Sequence, residues 1–187
     1  MSSRKNTYRM VLSAMLLALA LVLPFLTGQI PQIGGMLCPM HIPVLICGFF
    51  CGPFYGMAVG FIAPLLRSAI FGQPQLVPTA IAMCFELATY GLVAGLMYKI
   101  LPRRKIYVYP ALVTAMVAGR IVWGVAMAVI CRINNINFGW KEYAAGAFVS
   151  AIPGIIIQII VVPILVMALS RFTYGGSGRG KNRTKTP

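Results

Sequence analysis

The chain has 187 residues, of which 59% are hydrophobic and 10% are charged, and its mean hydropathy is +0.86. A typical soluble domain carries about 25% charged residues, and a globule of this size leaves too much surface in contact with water to hide so much apolar material. A soluble enzyme, a disordered chain, a collagen and a disulfide scaffold are therefore excluded, and the composition is that of an integral membrane protein.

Sixteen Lys and Arg stand against two acids, Glu86 and Glu142, for a formal net charge of +14. In so apolar a chain this excess marks cytoplasmic loops, and no nucleic-acid partner is expected. Two carboxylates are too few for metal-hydrolase or glycosidase chemistry. The five cysteines, Cys38, Cys47, Cys51, Cys84 and Cys131, contain no C-x-x-C pair and read as small packing groups. No catalytic residue, cofactor or metal site is expected.

In chain order, the first apolar segment covers 10–26, after Arg4, Lys5 and Arg9, with Pro24 near its end. It resembles a signal peptide in its flanks, but its length and the further spans behind it make it the first transmembrane helix. A Gly- and Pro-containing stretch without Lys, Arg, Asp or Glu follows at 27–43. The second helix, about 40–51, is short for a bilayer, which needs about 20 residues. Pro53 opens the third, to about Phe71; the fourth runs over 78–100, the fifth over 110–131 and the sixth over 144–172. The expected fold class is all-α, an integral membrane bundle of six transmembrane helices over 1–172. A basic, Gly-rich cytoplasmic tail follows over 173–187.

With the N-terminus inside, Arg4, Lys5, Arg9, Lys99, Arg103, Arg104, Lys105, Arg171, Arg179, Lys181, Arg183 and Lys185 are cytoplasmic, while Arg132 and Lys141 lie outside. That asymmetry predicts a multi-pass protein of the cell membrane with both termini in the cytoplasm. Small residues recur at helical spacing: Ala14 and Ala18, then Gly48, Gly52, Gly56 and Gly60, then Gly91 and Gly95. In lipid such faces let helices approach closely. The glycines read as packing within the bundle; Ala14 and Ala18 serve equally as packing or as a docking surface.

The segment 175–182, GGSGRGKN, approaches a phosphate-binding loop, but Asn182 stands where a Ser or Thr should bind magnesium, and no strand precedes it. Uphill movement therefore needs a partner or an ion gradient. The polar residues inside the spans carry more information: His41, Arg67, Glu86, Arg120 and Gln158, one on each of five helices, in the outer half or near the midplane. Intramembrane charges are costly and normally face the bundle interior along a functional path. Tyr90 and Trp123 lie one turn from Glu86 and Arg120. Each residue also has a plainer reading. Glu86 with Arg120 makes a structural ion pair, Arg67 snorkels to the interface, His41 bonds a loop carbonyl, Gln158 bridges two helices, and the aromatics are core. As a set they suit a pocket for a small polar molecule, a carboxylate included.

The stretch PMHIPVLICGFFCGPFYGMAVGFIAPLLRS at 39–68, with FELATYGLVAGLMYK at 85–99, AGRIVWG at 118–124 and the Ala14/Ala18 pair, resembles the substrate-binding S-components of energy-coupling factor (ECF) vitamin transporters over about 8–172. The resemblance implies a chain that binds a vitamin or its precursor from outside. It implies as partners a transmembrane coupling subunit, facing Ala14 and Ala18, and two cytoplasmic ATPase subunits. It also implies that the chain topples in the bilayer, and that segments 28–43, 72–77 and 132–143 close over the site, the last offering Asn134, Asn135 and Asn137 as hydrogen-bonding groups. Pantothenate is the first expectation, its carboxylate on Arg120 or Arg67; folate, riboflavin and a cobalamin precursor are alternatives, and thiamine suits an arginine-rich pocket poorly. The competing classes are a secondary transporter with Glu86 as proton carrier and a membrane scaffold without a ligand.

Overall fold

A computed structural model describes residues 2–27, 39–101, 105–136, 139 and 152–175. Among the described residues six α-helices make up the bundle: α1 (Ser2–Val22), α2 (His41–Cys51), α3 (Pro53–Phe71), α4 (Ile81–Ile100), α5 (Val108–Ile133) and α6 (Ile152–Gly175). A 3-10 turn, Leu23–Thr27, follows α1 and contains Pro24. A π-type turn, Leu76–Ala80, leads into α4. The sequence-predicted helices are all recovered in type. The basic tail beyond Gly175, the start of the sixth helix before Ile152, most of the 28–43 segment and half of the 132–143 segment lie outside the described residues.

Among the described residues five helices are long and apolar enough to cross a membrane: Asn6–Phe25, Pro53–Phe71, Leu76–Ile100, Val108–Ile133 and Ile152–Ser170. The expected second span is different. With 11 residues and about 1.5 Å of rise per residue, α2 covers roughly half of the ~30 Å hydrocarbon core. It also lies inside the protein: every residue of α2 except Phe50 is buried, and the helix packs on α1, α3, α4 and α6. A helix apolar on all sides belongs in a core, and one that closes its own backbone hydrogen bonds is the cheapest way to place a half-length segment there.

Its end is set by Gly52, at φ +103°, a conformation that a side chain disfavours. Pro53 follows at the first position of α3, where its missing N–H costs nothing. At the far end of α3, Gly72 adopts the left-handed conformation and donates its N–H to Ser68 O. The other small residues form a seam. A Cβ on Gly48 would lie 2.6 Å from Gly91 O, one on Gly56 2.7 Å from the same oxygen, and one on Gly95 2.6 Å from the Pro53 nitrogen. A Cβ on Gly91 would strike the Gly56 backbone, and one on Gly60 the Leu87 carbonyl. The backbones of α2, α3 and α4 thus touch directly, as small-residue interfaces in lipid permit.

On the outside, α5 exposes Val113, Val117, Ile121, Val125 and Val129, and α6 exposes Ile152, Ile156, Ile160 and Ile164. These stripes repeat every fourth residue and would aggregate in water; against acyl chains they need no cover. On α1, Ser13, Leu16 and Ala20 are buried, whereas Ala14 and Ala18 are on the exposed face with Val11, Met15, Leu19 and Val22. Cys47 on α2 donates to Ser13 Oγ at 3.4 Å.

Candidate functional site, a buried carboxylate shared by three helices

Glu86 enters the bundle from the second turn of α4 and is 2% exposed. One turn on, Tyr90 donates its hydroxyl to Glu86 Oε1 at 3.1 Å, the i,i+4 relation that puts two side chains on one helix face. Arg120 Nη1 approaches the same oxygen at 3.0 Å. Arg120 sits in the middle of α5, about 18 Å along it at 1.5 Å per residue, so its charge has no short route to either interface. His41, the first residue of α2, brings Nε2 to 3.8 Å from Oε1, and its ring lies tilted against that of Tyr90, centroids 5.4 Å apart. Three helices therefore deliver a base, a phenol and a guanidinium to one carboxylate oxygen. A charge this deep is tolerable only when paired and hydrogen-bonded, and Glu86 with Arg120 meets that condition.

The close approach of α5 depends on Gly119. A Cβ there would run into the Tyr90 ring at Cδ1 and Cε1 and lie 3.2 Å from Glu86 O. The glycine beside Arg120 is what lets the guanidinium reach its partner. Sequence reasoning missed it; the available signal was a glycine directly before an intramembrane arginine.

Arg67 is held elsewhere. Its Nη1 donates to Leu21 O at 2.9 Å, a carbonyl in the last turn of α1. Its guanidinium stacks over Phe25 at 5.6 Å and Phe71 at 5.5 Å, and those rings meet edge to face at 4.8 Å. Arg67 is 6% exposed, so it neither snorkels nor joins the Glu86 cluster: it ties the ends of α1 and α3 together. Asn135 is exposed with φ 55° and lies just past α5, a conformation Asn adopts readily at helix ends. It is about 22 Å along the chain axis from Arg120 at helical rise. Trp123 is half-buried on α5, one turn from Arg120.

Gln158 is 1% exposed. It belongs to the buried stripe Gly154, Gln158, Val162 and Val166 of α6, a helix that packs on α2 and α5. Neither its amide oxygen nor its amide nitrogen has a hydrogen-bond partner among the described residues, and the same holds for both ring nitrogens of His41. No group of three or more His, Cys, Asp or Glu that could hold a metal occurs among the described residues. Cys47, Cys51, Cys84 and Cys131 are buried free thiols.

A half-length buried helix, a glycine seam and a shared intramembrane carboxylate are features of a membrane protein built around an internal site. Neither a curated protein nor a solved structure matches the chain. The family model of the ECF transporter substrate-specific component does match, over residues 8–166. That span is most of the chain, and the protein belongs to this family: it is a substrate-specific membrane component of an ECF importer.

Proposed function

We propose that the chain captures a vitamin or vitamin precursor from outside the cell at the site around His41, Glu86, Tyr90 and Arg120, with Gln158 completing it from α6. It then delivers the ligand through a transmembrane coupling subunit driven by two ATPase subunits. The observation that carries this reading is the convergence of three helices on Glu86 Oε1, with Arg120 at 3.0 Å and Tyr90 at 3.1 Å. Packing alone does not call for two charges, a phenol and an imidazole in one dry place.

In this reading both termini are cytoplasmic, and Ala14 and Ala18, on the exposed face of α1, meet the coupling subunit. Pantothenate, the first expectation from sequence, would need Arg120 to exchange Glu86 for the ligand carboxylate; Arg67, bonded to Leu21 O, is not at the site. The geometry therefore supports the vitamin class without favouring that member.

The test is mass spectrometry of small molecules retained by the gently purified chain, followed by uptake in liposomes with and without the coupling and ATPase subunits. The expected result is a single retained vitamin-like compound and uptake only with the partners and ATP. Proton-driven uptake by the chain alone would replace this reading with a secondary transporter.

A further inference from the structure

Resting on the reading of the Glu86 cluster as the ligand site, we infer that its ligand is uncharged: a molecule carrying both hydrogen-bond donors and acceptors, such as an amide or a heteroaromatic ring, and neither a carboxylate nor a cation.

The two fixed charges at the site, Arg120 and Glu86, already pair with each other. Arg120 Nη1 and Glu86 Oε1 are 3.0 Å apart, and Glu86 also accepts from Tyr90. An anionic ligand would have to take Arg120 from Glu86, leaving that carboxylate without its cation in a dry interior. A cationic ligand would have to take Glu86 from Arg120, with the mirror-image result. Either exchange abandons a buried charge, which is the costly outcome for ion pairs inside proteins. Another buried cation, Arg67, is engaged by Leu21 O and two rings.

The groups left without a hydrogen-bond partner are on His41 and Gln158. The two ring nitrogens of His41 and the amide oxygen and nitrogen of Gln158 are buried without hydrogen-bond partners among the described residues, in side chains each 1% exposed. The primary amide of Gln158 offers both a donor and an acceptor, and the imidazole of His41 adds two ring nitrogens capable of hydrogen bonding. Buried polar groups are nearly always satisfied, because leaving them bare is expensive. A ligand presenting complementary donors and acceptors satisfies them without disturbing the ion pair.

Matched probes test the inference. The melting temperature of the full chain in detergent is followed against concentration for pantothenol and pantothenate, nicotinamide and nicotinate, riboflavin and its monophosphate, and thiamine as a cation. The expected result is stabilisation by an uncharged probe at a concentration tenfold or more below that needed by its anionic counterpart. An anion acting as well as its neutral counterpart, or thiamine acting alone, overturns the inference and leaves the ligand site standing. No stabilisation by any of the probes overturns the reading of the cluster as a vitamin site, and the inference with it. In Gln158→Leu the empty protein is expected to melt no lower than the parent, while the effective neutral probe binds about tenfold more weakly, the loss of one uncharged hydrogen bond. A lower melting temperature of empty Gln158→Leu would mean that the amide has a partner in the protein, and would also overturn the inference.

Discussion

Glu86 and Arg120 illustrate how differently a pair and its halves behave in a dry interior. Truncating Arg120 to Ala leaves a buried carboxylate uncompensated, a change that costs about 3–5 kcal/mol. Neutralising both together, as Glu86→Gln with Arg120→Met, removes the desolvation penalty along with the attraction and is expected to recover most of that loss. Thermal melting of the empty protein in detergent checks this, and strictly additive losses would show that the two do not act as a unit. Gly119 is the second residue-scale case. Gly119→Ala pushes a methyl into the Tyr90 ring and is expected to cost about 1–3 kcal/mol, the usual range for overpacking. Combining it with Tyr90→Leu should restore part of the melting temperature, since the atoms in the way are gone.

Among the helices, α2 and its glycine neighbours decide the architecture. Two of those glycines serve different ends, and their substitution separates the causes. Gly91 faces backbone, at Gly56, so a methyl there can be accommodated only by parting α3 and α4. Gly52 has nothing within 4 Å of a built Cβ, but its φ is +103°. Gly91→Ala is expected to cost about 3 kcal/mol or more by separating packed helices, and Gly52→Ala about 1–3 kcal/mol of backbone strain alone. The folded fraction after detergent extraction should rank the parent above Gly52→Ala and Gly52→Ala above Gly91→Ala. Arg67 works at the same scale. By capping the last turn of α1 through Leu21 O and stacking on Phe25 and Phe71, it joins α1 to the end of α3. Lys would keep the charge there but lose the planar stack.

For the whole molecule, function is a matter of which faces meet lipid, ligand and partner. The exposed face of α1 carries Ala14 and Ala18, so enlarging both to Leu touches nothing in the core. Such a variant should keep its melting temperature and ligand binding while losing ATP-dependent uptake with the coupling subunit, measured in reconstituted liposomes. Unchanged uptake would move the docking surface elsewhere. The orientation proposed from the basic residues has its own check. In intact cells an impermeant thiol reagent should label a cysteine placed at Asn135 and leave one placed at Arg104 unlabelled; the reverse would invert the topology.

Composition and the positions of Pro and Gly were enough to identify a helical membrane bundle, to start α3 at Pro53 and to end it before Gly72, because the bilayer demands apolar segments and these residues act through their own backbone geometry. The family was legible in the stretches around Gly48–Gly60, Glu86 and Arg120. Those same stretches contain the seam and the shared carboxylate. What the linear chain left open was pairing. His41, Glu86 and Arg120 are far apart in sequence, and only the packing of α2 and α5 against α4 brings them to one oxygen. Arg67 looked equally suited to a pocket, but the direction of its side chain depends on where α1 ends, and the Leu21 carbonyl with the two phenylalanine rings claims it. The half-length of α2 likewise follows from the four helices around it. A short apolar run reads alike whether it meets lipid or protein, and only tertiary contacts distinguish the two.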